Sequence, residues 1–234
     1  MLRCGVCHAE NHHLAVTCVS CGGFLQNRAE NLDLFVTSWG VIERPRQAFH
    51  TIAISRHKNY AALLSAFSGI GMAFLIFWVV KAGEHADNLL NLLIAGLVAG
   101  PVLGILVMLL ITLLGVFASR LLGSPIGARN AFAVTAYALI PVALSVILVL
   151  PVEVLTFGQY FFTRNPSPYA LKPLSAIMLF SLDGICVAWT LILFVVGYSV
   201  LVDRQKLKAL VIFLISVGGT SAIGAAAWQW FGPR

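Results

Sequence analysis

Cys4, Cys7, Cys18 and Cys21 fall in the pattern C-x2-C-x10-C-x2-C. One C-x-x-C turn brings two thiolates to one metal ion. Two such turns at the ends of a hairpin complete a tetrahedral shell of soft ligands, the arrangement that zinc takes in structural sites. The spacing therefore predicts a zinc ribbon over residues 1–25, with these four cysteines as ligands and zinc as the cofactor. Gly22 follows the second pair, where a knuckle needs a residue that tolerates positive φ; His8 holds the equivalent place after the first pair and fits it less well. His8, His12 and His13 could substitute as ligands, but four thiolates already fill the shell, so they are expected as solvated loop residues. A closed shell has no position for water or substrate, so the ion is expected to fold a module too small to have its own core. The competing reading is two disulfides, which needs an oxidising compartment.

What positions that module is a chain of membrane-like composition. Of 234 residues 59% are hydrophobic and 10% charged, and the mean hydropathy is +0.92. These values exclude an ordinary soluble domain and describe an integral membrane protein. The net charge of +6 sits in short clusters between apolar runs, so it belongs to membrane loops rather than to a nucleic-acid surface, and nucleic acid is not an expected partner. Ahead of Cys4 stands only Met1-Leu2-Arg3, and the first long apolar run begins near Tyr60; neither an export signal nor a lipoprotein signal is read there.

A span needs roughly 20 apolar residues. Five are read: 60–80, one within 88–119, 131–151, a fourth ending at Val202 (185–202 if counted tightly), and 209–231. The predicted fold is an all-α polytopic bundle of five transmembrane helices behind a small β-hairpin zinc ribbon. Its divisions are a ribbon (1–25), a connector (26–59) and a membrane domain (60–231). In the connector, RPRQAFHTIAISRHKN reads as an amphipathic helix that starts at Pro45 and ends in Arg56, His57 and Lys58; it is expected to lie along the inner leaflet on Ala48, Phe49, Ile52 and Ala53. Gly96, Gly100 and Gly104, and Ser216, Thr220 and Gly224, form small-residue stripes that suit packing within the bundle and would equally suit a homo-oligomer. Pro101 and Pro141 are expected as kinks.

Charge sets the orientation. With the N-terminus inside, the inner segments carry Arg3, Arg28, Arg44, Arg46, Arg56, Lys58, Arg120, Arg129, Arg204, Lys206 and Lys208, and the outer ones only Lys81, Arg164, Lys172 and Arg234. The positive-inside rule then places the ribbon in a reducing cytoplasm and the C-terminus outside.

The stretch SPIGARNAFAVTAYALIPVAL, with Tyr137 and Pro141, resembles the third-span signature of the Yip family, five-span membrane proteins related to the Ypt/Rab GTPase-interacting proteins of the secretory pathway. The string Asp183, Trp189, Leu191, Leu193, Gly197, followed by Lys208-Ala209-Leu210, resembles the final pair of spans. Arg44-Pro45-Arg46-Gln47-Ala48-Phe49 resembles the pattern that introduces the domain. The resemblance covers about residues 40–231 and implies a membrane-organising or adaptor role rather than a reaction. The ribbon in front of it looks like a prokaryotic arrangement, which implies a bacterial inner membrane.

The expected function is thus a non-enzymatic adaptor that contacts membrane lipid and recruits a cytoplasmic protein through the ribbon. An enzyme is not expected, since neither H-E-x-x-H nor G-x-S-x-G occurs. The alternative is a small permease or channel. It would need an ionisable residue within the spans, for which Asp183 is the candidate, and a polar path that Asn91, Thr112, Thr135, Ser145 and Gln229 could line. Asp183 is expected instead at the outer N-terminus of the fourth helix, where the dipole favours a carboxylate and Ser181 can cap.

Overall fold

The computed structural model describes residues 1–203 and 205–231, the side chains of Trp230 and Phe231 excepted. Arg204 and Arg234, counted above in the loop charge, lie outside the described residues. The elements run β1 (Leu2–Arg3), β2 (Glu10–Asn11), α1 (Leu34–Glu43), α2 (Pro45–Ile54), α3 (Ala61–Val80), α4 (Leu89–Leu121), α5 (Ala128–Ala138), α6 (Ile140–Phe157), α7 (Pro168–Leu171), α8 (Pro173–Leu201) and α9 (Lys206–Phe231). Among the described residues five segments are long and apolar enough to cross a membrane: α3, α4, the run 128–162 that contains α5 and α6, α8 and α9. Many of their large apolar side chains are exposed, as lipid-facing helices require. The expected five-helix architecture, preceded by a small antiparallel sheet and a cysteine cluster, is the one observed.

Two compact units share these helices. The first contains residues 1–61, 110–137 and the chain from 193 onward. Its core is built on Phe49, Ile52, Val134, Tyr137, Leu193, Tyr198 and Ile212, all fully buried. Tyr198 meets the Thr135 hydroxyl at 3.2 Å, and the Tyr137 hydroxyl donates to the Asn59 carbonyl at 2.6 Å, so both phenols keep a partner inside the core. A methyl group on Gly197 would lie 2.5 Å from Val134 Cγ1 and 3.3 Å from the Phe49 ring; a glycine on α8 is what lets α2 and α5 approach that closely.

Here the expectation for the connector needs correction. α2 forms where expected, with Pro45 in its first turn, but it ends at Ile54, before the basic residues. Most of its apolar face, Phe49, Ile52 and Ala53, is buried on protein, and Ala48 is half-buried. Lys58 folds back instead, its ammonium donating to the carbonyls of Ile52 and of Ala53, the latter at 2.8 Å, and so caps the carbonyl end of α2. Desolvation, with Arg129 and Arg28 nearby, lowers the Lys58 pKa to about 8. The apolar surface that stays open belongs to α1, where Asp33 caps Val36 N at 2.8 Å and Phe35, Val36 and Trp39 are exposed. A run of ten residues without basic punctuation gave no reason to place a separate helix there.

The second unit contains residues 62–109 and 138–192. Its tightest contact joins α3 to α4 at the first small-residue stripe. A methyl on Gly104 would stand 2.6 Å from Gly69 Cα, one on Gly100 2.6 Å from Ile70 Cα, and one on Gly96 2.6 Å from the Phe74 ring. The stripe is therefore spent inside one chain. The stripe on α9 divides: Ser216 is buried, while the space beside Gly224 is open. Phe74, Phe157, Phe161 and Phe162 pack with Ile70, Leu92 and Ala176 into an aromatic core. Gln159 locks the loop after α3 by donating to the Gly83 and Ala86 carbonyls, both at 2.9 Å. Of the two prolines, Pro141 stands in the first turn of α6, just after the break that ends α5, whereas α4 continues without interruption through Pro101.

Candidate metal centre

The ribbon is built from two copies of one turn. After the first C-x-x-C, His8 N donates to Cys4 O at 3.1 Å and His8 has φ +57°; after the second, Gly22 N donates to Cys18 O at 3.0 Å and Gly22 has φ +70°. His8 thus does the work that the sequence assigns more readily to glycine, in the left-handed region that side chains seldom adopt. β1 pairs antiparallel with β2 in the register Leu2–Asn11 and Arg3–Glu10, a bridge joins Thr17 to Phe24, and the two turns face each other.

All four Sγ atoms lie within 4.8 Å of one another. Cys4 and Cys21 are 3.6 Å apart, and Cys7 and Cys18 3.5 Å. These are thiols rather than disulfides, since an S–S bond is about 2.05 Å. A tetrahedron with arms of about 2.3 Å has edges of about 3.8 Å, so the sulfurs already stand near the corners that a four-coordinate soft cation requires. Gly23 leaves room beside them: a methyl there would be 3.2 Å from Cys21 Sγ and 3.9 Å from Cys4 Sγ. The four cysteines are close enough to hold a metal ion.

The electrostatics favour thiolates at two corners. Backbone N–H groups of Cys21 and Ser20 pull the Cys18 pKa down to about 6, helped by Asn11, and those of Cys7 and Val6 lower Cys4. Cys7 receives a backbone bond at Ala9 that acts downward, yet the sulfurs of Cys21 and Cys18 push it up to about 12. Sulfur hydrogen bonds hold that last proton, which a bound cation displaces. The sign follows. Metal binding must release the Cys7 proton, so affinity rises with pH; the thiolate of Cys18 contributes above the ordinary thiol range and is lost as pH falls through about 6. Titrating the metal-free chain with zinc in weak buffer is expected to acidify it, and dialysis from pH 7.5 to pH 5 to strip the ion.

Asn11, not singled out in the sequence, belongs to this centre. It is 3% exposed, donates through Nδ2 toward Cys18 Sγ at 3.5 Å and to Ala9 O at 2.9 Å, and accepts from Val19 N at 2.9 Å. It braces one corner from outside the shell. The histidines are not ligands among the described residues, and His13 is not solvated as expected. Its Nδ1 is 3.3 Å from Asp203 and its Nε2 2.7 Å from the Val200 carbonyl; a carbonyl only accepts, so Nε2 donates. Gln26 steadies this loop from the other side, donating to the His13 and Ala15 carbonyls. The ribbon is thereby pinned to the last turn of α8.

The Yip1 domain profile matches residues 39–228, which span all five apolar helices. The chain belongs to the Yip1 family. The match begins inside α1, so the four-cysteine cluster lies ahead of the family domain. No curated protein and no solved structure matches the chain. Within this Yip1-family chain the residues that carried the resemblance have identifiable work. Tyr137 anchors Asn59, Pro141 opens α6, and Gly197 admits Phe49 and Val134.

Asp183 is corrected. α8 begins at Pro173, so Asp183 stands ten residues inside it and caps nothing, and Ser181 bonds back to Ile177 O at 2.6 Å. Asp183 accepts from Ser145 on α6 and stands beside Glu153, which is 1% exposed and whose Oε1 has no donor among the described residues. Ending the third span at Pro151 left Glu153 outside it; the helix runs past that proline to Phe157. Of the other polar residues read as a path, Thr135 instead pairs with Tyr198 in the first unit.

Proposed function

We propose that this Yip1-family membrane protein is a non-enzymatic adaptor whose ribbon, folded on zinc by Cys4, Cys7, Cys18 and Cys21, recruits a cytoplasmic protein at the surface of a bacterial inner membrane. Residues 1–25 form the module, 26–59 the connector and 60–231 the membrane domain. Zinc supplies crosslinks between two turns; its closed shell admits no substrate. The His13 contact with Val200 and Asp203 is the observation that carries this reading. A ribbon fixed to a helix end presents its surface in one orientation, and a partner bound there is linked mechanically to α8. α1 supports the reading as well: Phe35 and Trp39 suit the headgroup boundary, and they take over the interfacial role expected of α2. The loop charges support an orientation with the ribbon inside and the C-terminus outside.

The test is capture. Full-length wild-type chain, solubilised gently from its own membranes, is expected to retain a cytoplasmic protein that Cys18→Ser/Cys21→Ser loses, and His13→Ala is expected to hold the partner while loosening the ribbon, seen as faster amide exchange over residues 9–19. An identical set of proteins on wild type and the double variant would refute the adaptor.

A second reading, a small permease, is favoured by one observation, the contact between Asp183 and the buried Glu153. An ionisable pair among apolar helices is a candidate transport site. If the pair is structural, Glu153→Gln keeps a donor and leaves the fold and any assayed phenotype intact. A folded but inactive Glu153→Gln chain would shift the assignment to proton-linked transport.

A further inference from the structure

A cavity of about 820 Å³ opens in the first unit where the ribbon, the start of α2 and the junction of α8 with α9 meet; its lining includes His13, Arg46, Gln47, His50, Asp203 and Lys206. Its size is that of a ligand site. Two features fix its chemistry. Arg46 and Lys206 face the cavity without an acidic partner among the described residues, and α2 begins there with no side-chain cap, so the first-turn N–H groups of Arg46 and Gln47 lack helical acceptors. Asp203 is the one carboxylate among the described residues of the lining, and His13 Nδ1 stands 3.3 Å from it, which leaves the guanidinium and the ammonium to set the sign. Height brings lipid headgroups within reach. Val200, in the last turn of α8, and Lys206, in the first turn of α9, both line the cavity, so it sits where two spans leave the membrane, at headgroup level.

We propose that this cavity binds a phosphate group, supplied by an anionic phospholipid headgroup or by a soluble phosphate. An Arg fork, a Lys point charge and open helix N–H groups together match phosphate oxygens, and Gln47 and Asp203 can meet the hydroxyls of a glycerol headgroup. The site goes beyond the adaptor reading and needs no protein partner, so it stands or falls separately.

Full-length protein in detergent is titrated with phosphatidylglycerol and with phosphatidylcholine and followed by native mass spectrometry; inorganic phosphate is added in a parallel thermal-shift series. Wild type is expected to retain phosphatidylglycerol at least tenfold more tightly than phosphatidylcholine. Arg46→Gln/Lys206→Gln is expected to abolish that preference, Arg46→Lys/Lys206→Arg to keep it, and Arg120→Gln/Arg164→Gln, which removes two charges elsewhere, to leave it unchanged. If inorganic phosphate raises the melting temperature with the same dependence on Arg46 and Lys206 while phosphatidylglycerol shows no preference, the source is soluble and the site stands. Equal retention of the two lipids with no phosphate shift overturns the proposal, as does a control variant that loses binding as fully as Arg46→Gln/Lys206→Gln.

Discussion

Serine at positions 18 and 21 is expected to unfold the ribbon and nothing else. Each substitution replaces a thiolate by a hydroxyl that does not hold a soft cation, and Cys18 also gives up the Asn11 contact at 3.5 Å. A module of about 25 residues buries too little apolar area to fold alone, so the free energy of metal binding, on the order of 10 kcal/mol for structural zinc peptides, is its folding free energy. Loss of that term exceeds anything that the paired strands Leu2–Arg3 and Glu10–Asn11 can replace. The membrane helices satisfy their backbone groups internally. The variant should therefore insert normally and elute as a single species in detergent, while amide protection over residues 2–24 is lost. Aggregation of the whole chain would mean that the ribbon is part of the core rather than a module upon it.

Gly104→Leu is expected to destabilise the other unit. At this point α3 and α4 touch backbone to backbone, with a methyl on Gly104 falling 2.6 Å from Gly69 Cα. No rotamer relieves a clash of Cβ with backbone, so the helices must separate. That removes close packing along the whole crossing, from Gly104 through Gly100 to Gly96, and van der Waals packing is what holds membrane helices together. Overpacking a tight site typically costs about 1–3 kcal/mol; with backbone on both sides the upper end is expected. Thermal denaturation in detergent should show a melting point lowered by several degrees. A change in mass by light scattering without loss of stability would show instead that the stripe joins two copies. Gly224→Leu, where the space is open, serves as the control and should be close to neutral.

Much of this was legible because the physics is one-dimensional. Apolar run length is enough to mark a membrane helix, and α3, α4, α8 and α9 lie where the runs lie. The cysteine cluster was legible for a similar reason: spacing within a C-x-x-C turn is local, and the four sulfurs meet as the spacing requires. What escaped depends on contacts far apart in sequence. His13 looks like any loop histidine until the fold brings it to Val200, 187 positions away. The apolar face of α2 has the same pattern whether lipid or protein covers it, and it was Gly197, in a distant helix, that decided for protein. Asp183 was misplaced because composition does not mark where a helix starts; Pro173 sets the true beginning. Glu153 was lost for the converse reason, a proline that the helix passes through.

The central claim is that Cys4, Cys7, Cys18 and Cys21 hold zinc on a ribbon fixed to the end of α8. Metal content of the full-length wild-type chain, purified under reducing conditions without added metal and measured by inductively coupled plasma mass spectrometry, tests it most directly. The account predicts about one zinc per chain, matching one tetrahedral four-thiolate site. A chain free of metal, or one whose Cys4 and Cys21 are recovered from cells as a disulfide, would contradict it.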